Sequence, residues 1–188
     1  MSNVAVLISL ARHPKSGRLM LSPNDARALA IAKQLSEDVR LVHVGRARDQ
    51  LILRQYLGLG FSALDLLESP DDADVCEVLA AYFTKHPARL LLAGLYGLGQ
   101  DDTGLVPYVV ADALAWPLFD RVLSVDPETQ TLQQFLPRGQ RRQLSLPEQA
   151  VMTISDKAPL TLEYVARRAR QGQIRVHPGE TQSVTSVL

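Results

Sequence analysis

Apolar residues fall in short runs along this chain, separated by polar and glycine-rich stretches. Residues 4–10 (VAVLISL), 40–44 (RLVHV) and 63–67 (ALDLL) are mostly apolar strand candidates, and 90–93 (LLLA) is apolar throughout, the pattern of a strand buried on both faces. Between them the period changes to that of helices. Ser22-Pro23 opens one, with serine as N-cap, proline in the first helical position and Asp25 in the first turn. Ala28, Ile31, Ala32 and Leu35 make its buried stripe. Residues 49–57 and 71–86 read as further helices, the second with an acidic first turn of Asp71, Asp72 and Asp74 that suits the helix dipole. Strands alternating with helices predict an α/β fold built on an open, mostly parallel sheet.

The run at 90–93 leads into the most informative stretch. Gly94, Gly97 and Gly99 break the strand, Asp101, Asp102 and Thr103 follow, and an apolar helical pattern runs on from Leu105. Leu105, Val109 and Ala113 form one ridge, and Val106, Val110 and Leu114 the next. Trp116-Pro117 ends the helix, because the residue before a proline disfavours helical backbone. Strand, glycine loop and helix start make a recipe for ligand binding: glycines let backbone approach closely, and first-turn amides have no partner within the helix. The same recipe describes an ordinary βα turn. No Walker motif follows, and GLYGLG does not have the dinucleotide spacing. The two aspartates oppose a phosphate unless they cap the helix or hold a cation. Ligands of open parallel sheets bind at the carboxyl ends of strands, which gathers the residues after Leu10, Val44 and Ala93 around one crevice.

Beyond Pro117 the rhythm changes. Residues 121–125, 132–135 and 140–146 are short strand candidates, joined by turn signals at Asp126-Pro127 and Arg138-Gly139; they read as an antiparallel extension of the sheet. Residues 150–154 return as a strand. Residues 161–170 read as a helix, with Leu162, Val165 and Ala166 apolar and Arg167, Arg168 and Arg170 basic. A single domain over residues 1–176 is expected, followed by a polar tail at 177–188.

Composition narrows the function. The 188 residues carry 20 basic and 20 acidic side chains, so no global field recruits nucleic acid or membrane. Cys76 is the only cysteine, which excludes a disulfide framework and a thiolate metal site. His13, His43, His86 and His177 lack ligand spacing and read as surface or loop positions. No apolar run approaches the ~20 residues of a membrane span, and the first residues do not form a signal peptide; a soluble, cytoplasmic protein is expected. There is no Gly-x-Ser-x-Gly elbow, no Cys–His motif and no spaced acid–base pair, so a binding or carrier role suits the chain better than an enzyme.

Taken in order, these elements resemble the β subunit of electron-transfer flavoproteins. VLISLAR resembles the family's opening strand, with Ala11-Arg12 at its Lys-Arg pair. Ser22-Pro23-Asn24-Asp25 resembles its Asn-Pro-Phe-Asp/Cys helix start, and Val42-His43-Val44-Gly45 its Val-Ser-x-Gly strand end. Leu91 to Gly94, then Asp101-Asp102-Thr103-Gly104 and Trp116-Pro117, resemble its Leu-Leu-Gly strand, acid-rich loop and Trp-Pro stop. Leu146-Pro147, Val151, Thr161-Leu162 and Ile174-Arg175-Val176 continue the match to the close of the domain. Ser22 stands where the family has asparagine, and the Asn-Gln pair before Thr-Gly is missing.

The resemblance implies a Rossmann-like, adenine-nucleotide α-hydrolase-like fold. It implies a heterodimer with an α subunit that holds FAD and passes electrons from dehydrogenases to a membrane quinone reductase. It further implies a structural AMP on this chain, held by Ser9, Ser22, Val44, Gly94 and the loop of Gln100, Asp101, Asp102, Thr103 and Gly104. The segment with Pro159, Leu160 and Leu162 becomes the dehydrogenase-docking loop, with Leu162 as its apolar anchor. The resemblance is to a short form without the family's C-terminal arm. The rival reading is a stand-alone adenine-nucleotide-binding regulatory module, like the universal stress proteins.

Overall fold

The computed structural model describes residues 3–96 and 104–181. Among them the chain runs β1 (Val4–Leu7), β2 (Leu10–Arg12), β3 (Leu19–Leu21), α1 (Asp25–Leu35), β4 (Val39–Gly45), α2 (Gln50–Gly58), β5 (Ala63–Glu68), α3 (Val75–Lys85), β6 (Leu90–Gly94), α4 (Val106–Leu114), β7 (Leu118–Asp126), β8 (Thr131–Phe135), β9 (Arg141–Ser145), β10 (Ala150–Ile154), α5 (Ala166–Gln171) and β11 (Gln173–Pro178). One sheet of nine strands has the order β11-β5-β4-β1-β6-β10-β7-β8-β9. Every neighbouring pair from β11 to β7 is parallel. From β7 through β8 to β9 the strands form an antiparallel meander. This is the expected Rossmann-like α/β sheet with its antiparallel extension.

Strand β6 shows why its apolar run is unbroken. Leu90 and Leu92 join the core layer shared with α1 and α2, whereas Leu91 and Ala93 join the layer shared with α3 and α4. Helices cover both faces, so no position is left to turn polar. Helix α4 uses only part of its apolar surface. Val110 is buried, with Val106 and Leu114 packed beside it, while Leu105 and Val109 of the other expected ridge are exposed.

Several boundaries move, each for a local reason. The opening strand stops at Leu7, because the Ser9 amide donates to the Asp25 carboxylate instead of a strand neighbour. Residues 10–21 form a hairpin of β2 and β3. Helix α1 begins at Asp25 with Asn24 in the cap position, and Ser22 makes no cap: its amide donates to the Tyr56 hydroxyl and its own hydroxyl has no partner among the described residues. Helix α3 begins at Val75, capped by Asp74, which accepts from the amides of Cys76 and Glu77. Helix α4 begins at Val106 with Leu105 in its cap position, and the expected caps Asp101, Asp102 and Thr103 lie outside the described residues.

The C-terminal third is corrected twice. The helix expected over 161–170 forms only over Ala166–Gln171. The Val165 amide donates to Gly58 O at 2.8 Å and Leu162 packs on the core, so tertiary contacts hold residues 161–165 out of the helix. The expected tail at 177 is still sheet at its start, since His177 and Pro178 continue β11 beside β5.

Candidate functional site

From β1 the chain crosses to β4 and β5 on one side and returns to β6 on the other. Strand order reverses at that point, and the loops diverge there to leave a crevice. A cleft of about 830 Å³ opens at the carboxyl ends of β1, β4, β5 and β6, within the range of small-ligand sites.

One wall is a knot of three distant residues. Asp25 Oδ2 accepts from Ser9 N at 2.6 Å, Ser9 Oγ at 3.1 Å and the Tyr56 hydroxyl at 2.9 Å. The Tyr56 hydroxyl also reaches Ser9 O at 2.6 Å. A phenol has one proton and cannot serve both acceptors, so a proton on Asp25 relieves the conflict. Asp25 is 3% exposed. Burial pushes its carboxyl up to about 7, against the pull of the Ser9 and Tyr56 donors.

His43 is not the surface or loop residue its sequence context implied. It sits in β4, 8% exposed, on the cleft. Its Nδ1 lies 2.9 Å from Ile8 O. Burial lowers its basicity, opposed by the bond to Ile8 and the charge of Asp49. Two glycines shape the backbone nearby. A side chain at Gly94 would start 2.9 Å from the Asn24 backbone, which fixes how closely β6 approaches the start of α1. Gly104 has φ +66 and carries the chain tightly past Leu95 O.

Charge gathers at the mouth. Arg12, Arg46 and Arg48 line it, and Asp71 pairs with Arg46 at 3.3 Å and Arg48 at 3.2 Å. Helix α4 contributes less than its position promises: Pro107 has no N–H, and the Tyr108 amide is already donated to Leu105 O.

Four of the expected binding residues, Ser9, Val44, Gly94 and Gly104, meet on this cleft. Ser22 is buried beside Tyr56 and does not line it. Gln100, Asp101, Asp102 and Thr103 lie outside the described residues. Pro159, Leu160 and Leu162 are elsewhere, between β10 and α5. Leu160 is 52% exposed, whereas Leu162 packs against the core; the exposed apolar side chain is thus Leu160. Sequence reasoning missed Asp25 and His43 as wall residues and the arginines of the mouth. For His43 a signal existed: a polar residue within a buried parallel strand needs a partner.

Among the described residues no group of three or more His, Cys, Asp or Glu side chains could hold a metal ion. No helix among them is long and apolar enough to cross a membrane. No family model matches the chain. It is 39% identical over 183 residues to the electron transfer flavoprotein subunit beta of Chromohalobacter salexigens, across 94% of this chain and 68% of that protein. The parallel sheet, the cleft at its reversal point and this identity agree: the chain belongs to the electron transfer flavoprotein β-subunit family.

Proposed function

We propose that this chain is the β subunit of an electron-transfer flavoprotein heterodimer. Its identity to a protein of that name carries the reading. The α subunit would hold FAD, which supplies the electron-carrying chemistry when bound, and the pair would relay electrons from dehydrogenases to a membrane quinone reductase in the cytoplasmic compartment. This chain supports and docks; it performs no covalent step of its own.

The cleft is proposed to hold AMP as a structural nucleotide. Its volume, the place of Gly94 and Gly104 on its lining, and the polar wall at Ser9 support that use. Val44 would flank the base, and the family pattern adds Gln100, Asp101, Asp102 and Thr103. No observation favours the rival reading as a stand-alone regulatory module.

Docking is proposed to lie at Pro159, Leu160 and Leu162, with Leu160 as the side chain a dehydrogenase receives. Its exposure supports this. Leu160→Ala, co-produced with the α subunit, should slow flavin reduction by the dehydrogenase about ten-fold, the effect of losing one apolar hot spot. Flavin content and thermal stability should not change. An unaltered rate would remove the docking assignment, and failure to form any flavin-bearing complex would remove the function.

A further inference from the structure

His43 brings an unused hydrogen-bond acceptor to the cleft. A carbonyl oxygen only accepts, so the 2.9 Å contact with Ile8 O puts the imidazole proton on Nδ1. The neutral ring then keeps a bare lone pair on Nε2. Among the described residues no donor is bonded to Nε2, and His43 lines the cleft with 8% of its surface exposed. The Ile8 contact sets the orientation of the ring, and Gly45 leaves it space. A Cβ on Gly45 would stand 2.6 Å from Nε2 and 3.0 Å from Cδ2, so only glycine leaves room for the ring edge. A ligand that covers this acceptor strips its water, and the complex pays for the unpaired atom unless the ligand donates to it.

Taking the cleft as a nucleotide site, on which this step rests, we infer that His43 Nε2 selects the ligand by accepting a hydrogen bond from a neutral N–H or O–H donor. For a nucleotide that donor is the exocyclic amine of an aminopurine or a ribose hydroxyl. Both chemistries satisfy the same lone pair, and a ligand that offers only an acceptor there is rejected. Sites built around a fixed polar partner discriminate strongly against analogues that lack it, because the buried group is then left unpaired.

Calorimetric titration of the full chain tests this. The probes are AMP, purine riboside 5′-monophosphate, 2′-deoxy-AMP and 3′-deoxy-AMP. In His43→Asn the amide nitrogen replaces Nδ1 and keeps the bond to Ile8, while the Nε2 acceptor is lost. Its AMP affinity should fall about ten-fold. His43→Gln, whose amide oxygen reaches toward the Nε2 position, should recover part of that loss and checks that the position tolerates replacement. One donor-deleted probe should bind the wild type about ten-fold more weakly than AMP, yet bind His43→Asn as well as AMP does. That closed cycle identifies the amine or the hydroxyl. Equal AMP affinity in wild type and His43→Asn would overturn the inference while leaving the nucleotide reading intact. So would a loss in His43→Asn that no probe shares, since that is a structural effect. A wild type that binds no AMP would overturn the nucleotide reading, and this inference with it.

Discussion

Replacing Arg175 by methionine should destabilise the fold by about 3 kcal/mol, the lower end of the cost of stripping a partner from a buried charge. The buried charge is Asp65, 2% exposed, on β5 facing α3. Its Oδ1 accepts from Arg175 Nε at 2.6 Å and His177 Nε2 at 3.2 Å, and its Oδ2 accepts from the Tyr82 hydroxyl at 2.5 Å. Burial alone would push this carboxyl up. The hydrogen bonds from Tyr82 and Arg175, the charge of Arg175 and the bond from His177 outweigh it and hold the group below its ordinary range. Methionine keeps the apolar stem and removes the guanidinium, so the loss isolates the charge. Two donors remain, which is why the lower end applies.

The pH dependence follows from the direction of that shift. A carboxyl depressed by folding contributes stability that is present above its unfolded value of ~4 and lost as pH falls through its folded value. The gap between wild type and Arg175→Met in urea unfolding should therefore be constant at neutral pH and close in acid. A gap below about 0.5 kcal/mol would mean that the pair behaves as a surface ion pair. The consequence reaches the cleft, because β11 braces β5, whose carboxyl end leads into Ser69 and Asp71 on the cleft lining. Amide exchange in β11 should accelerate in the variant.

The second large effect concerns Asp25. Its folded value of about 7 lies above the unfolded ~4. A group raised by folding contributes stability below its unfolded value and loses it as pH rises through its folded value. Asparagine at this position is neutral at every pH and can donate to the Tyr56 oxygen as a protonated carboxyl does. Relative to Asp25→Asn, the wild type should lose on the order of 3 kcal/mol between pH 5 and pH 8. Urea unfolding of the two proteins at each pH measures this. Parallel stability curves would mean that the carboxylate is solvated and that the knot with Ser9 and Tyr56 is open.

These residues also mark where sequence reading stops. The strands at 4–7, 39–45, 63–68 and 90–94 were legible because a strand covered on both faces is mostly apolar. Their order located the cleft, since a parallel sheet with reversed crossovers leaves its crevice in one place. The knot was not legible: Asp25 lies 16 residues from Ser9 and 31 from Tyr56, and nothing in a periodic pattern reports such a pairing. Asp65 was hidden for the same reason, 110 residues from Arg175. Residues 161–165 carry helical spacing, but Gly58 O and the core take the backbone and Leu162 first. In such an irregular segment no period tells the buried leucine from the exposed one, which is how Leu162 came to be expected where Leu160 is the exposed residue.

Native mass spectrometry of the protein recovered from its own cells tests the central claim most directly. The account predicts a heterodimer with a larger subunit, carrying one FAD, with a mass of AMP retained on this chain. A monomer or homo-oligomer without flavin, with or without a bound nucleotide, would contradict it.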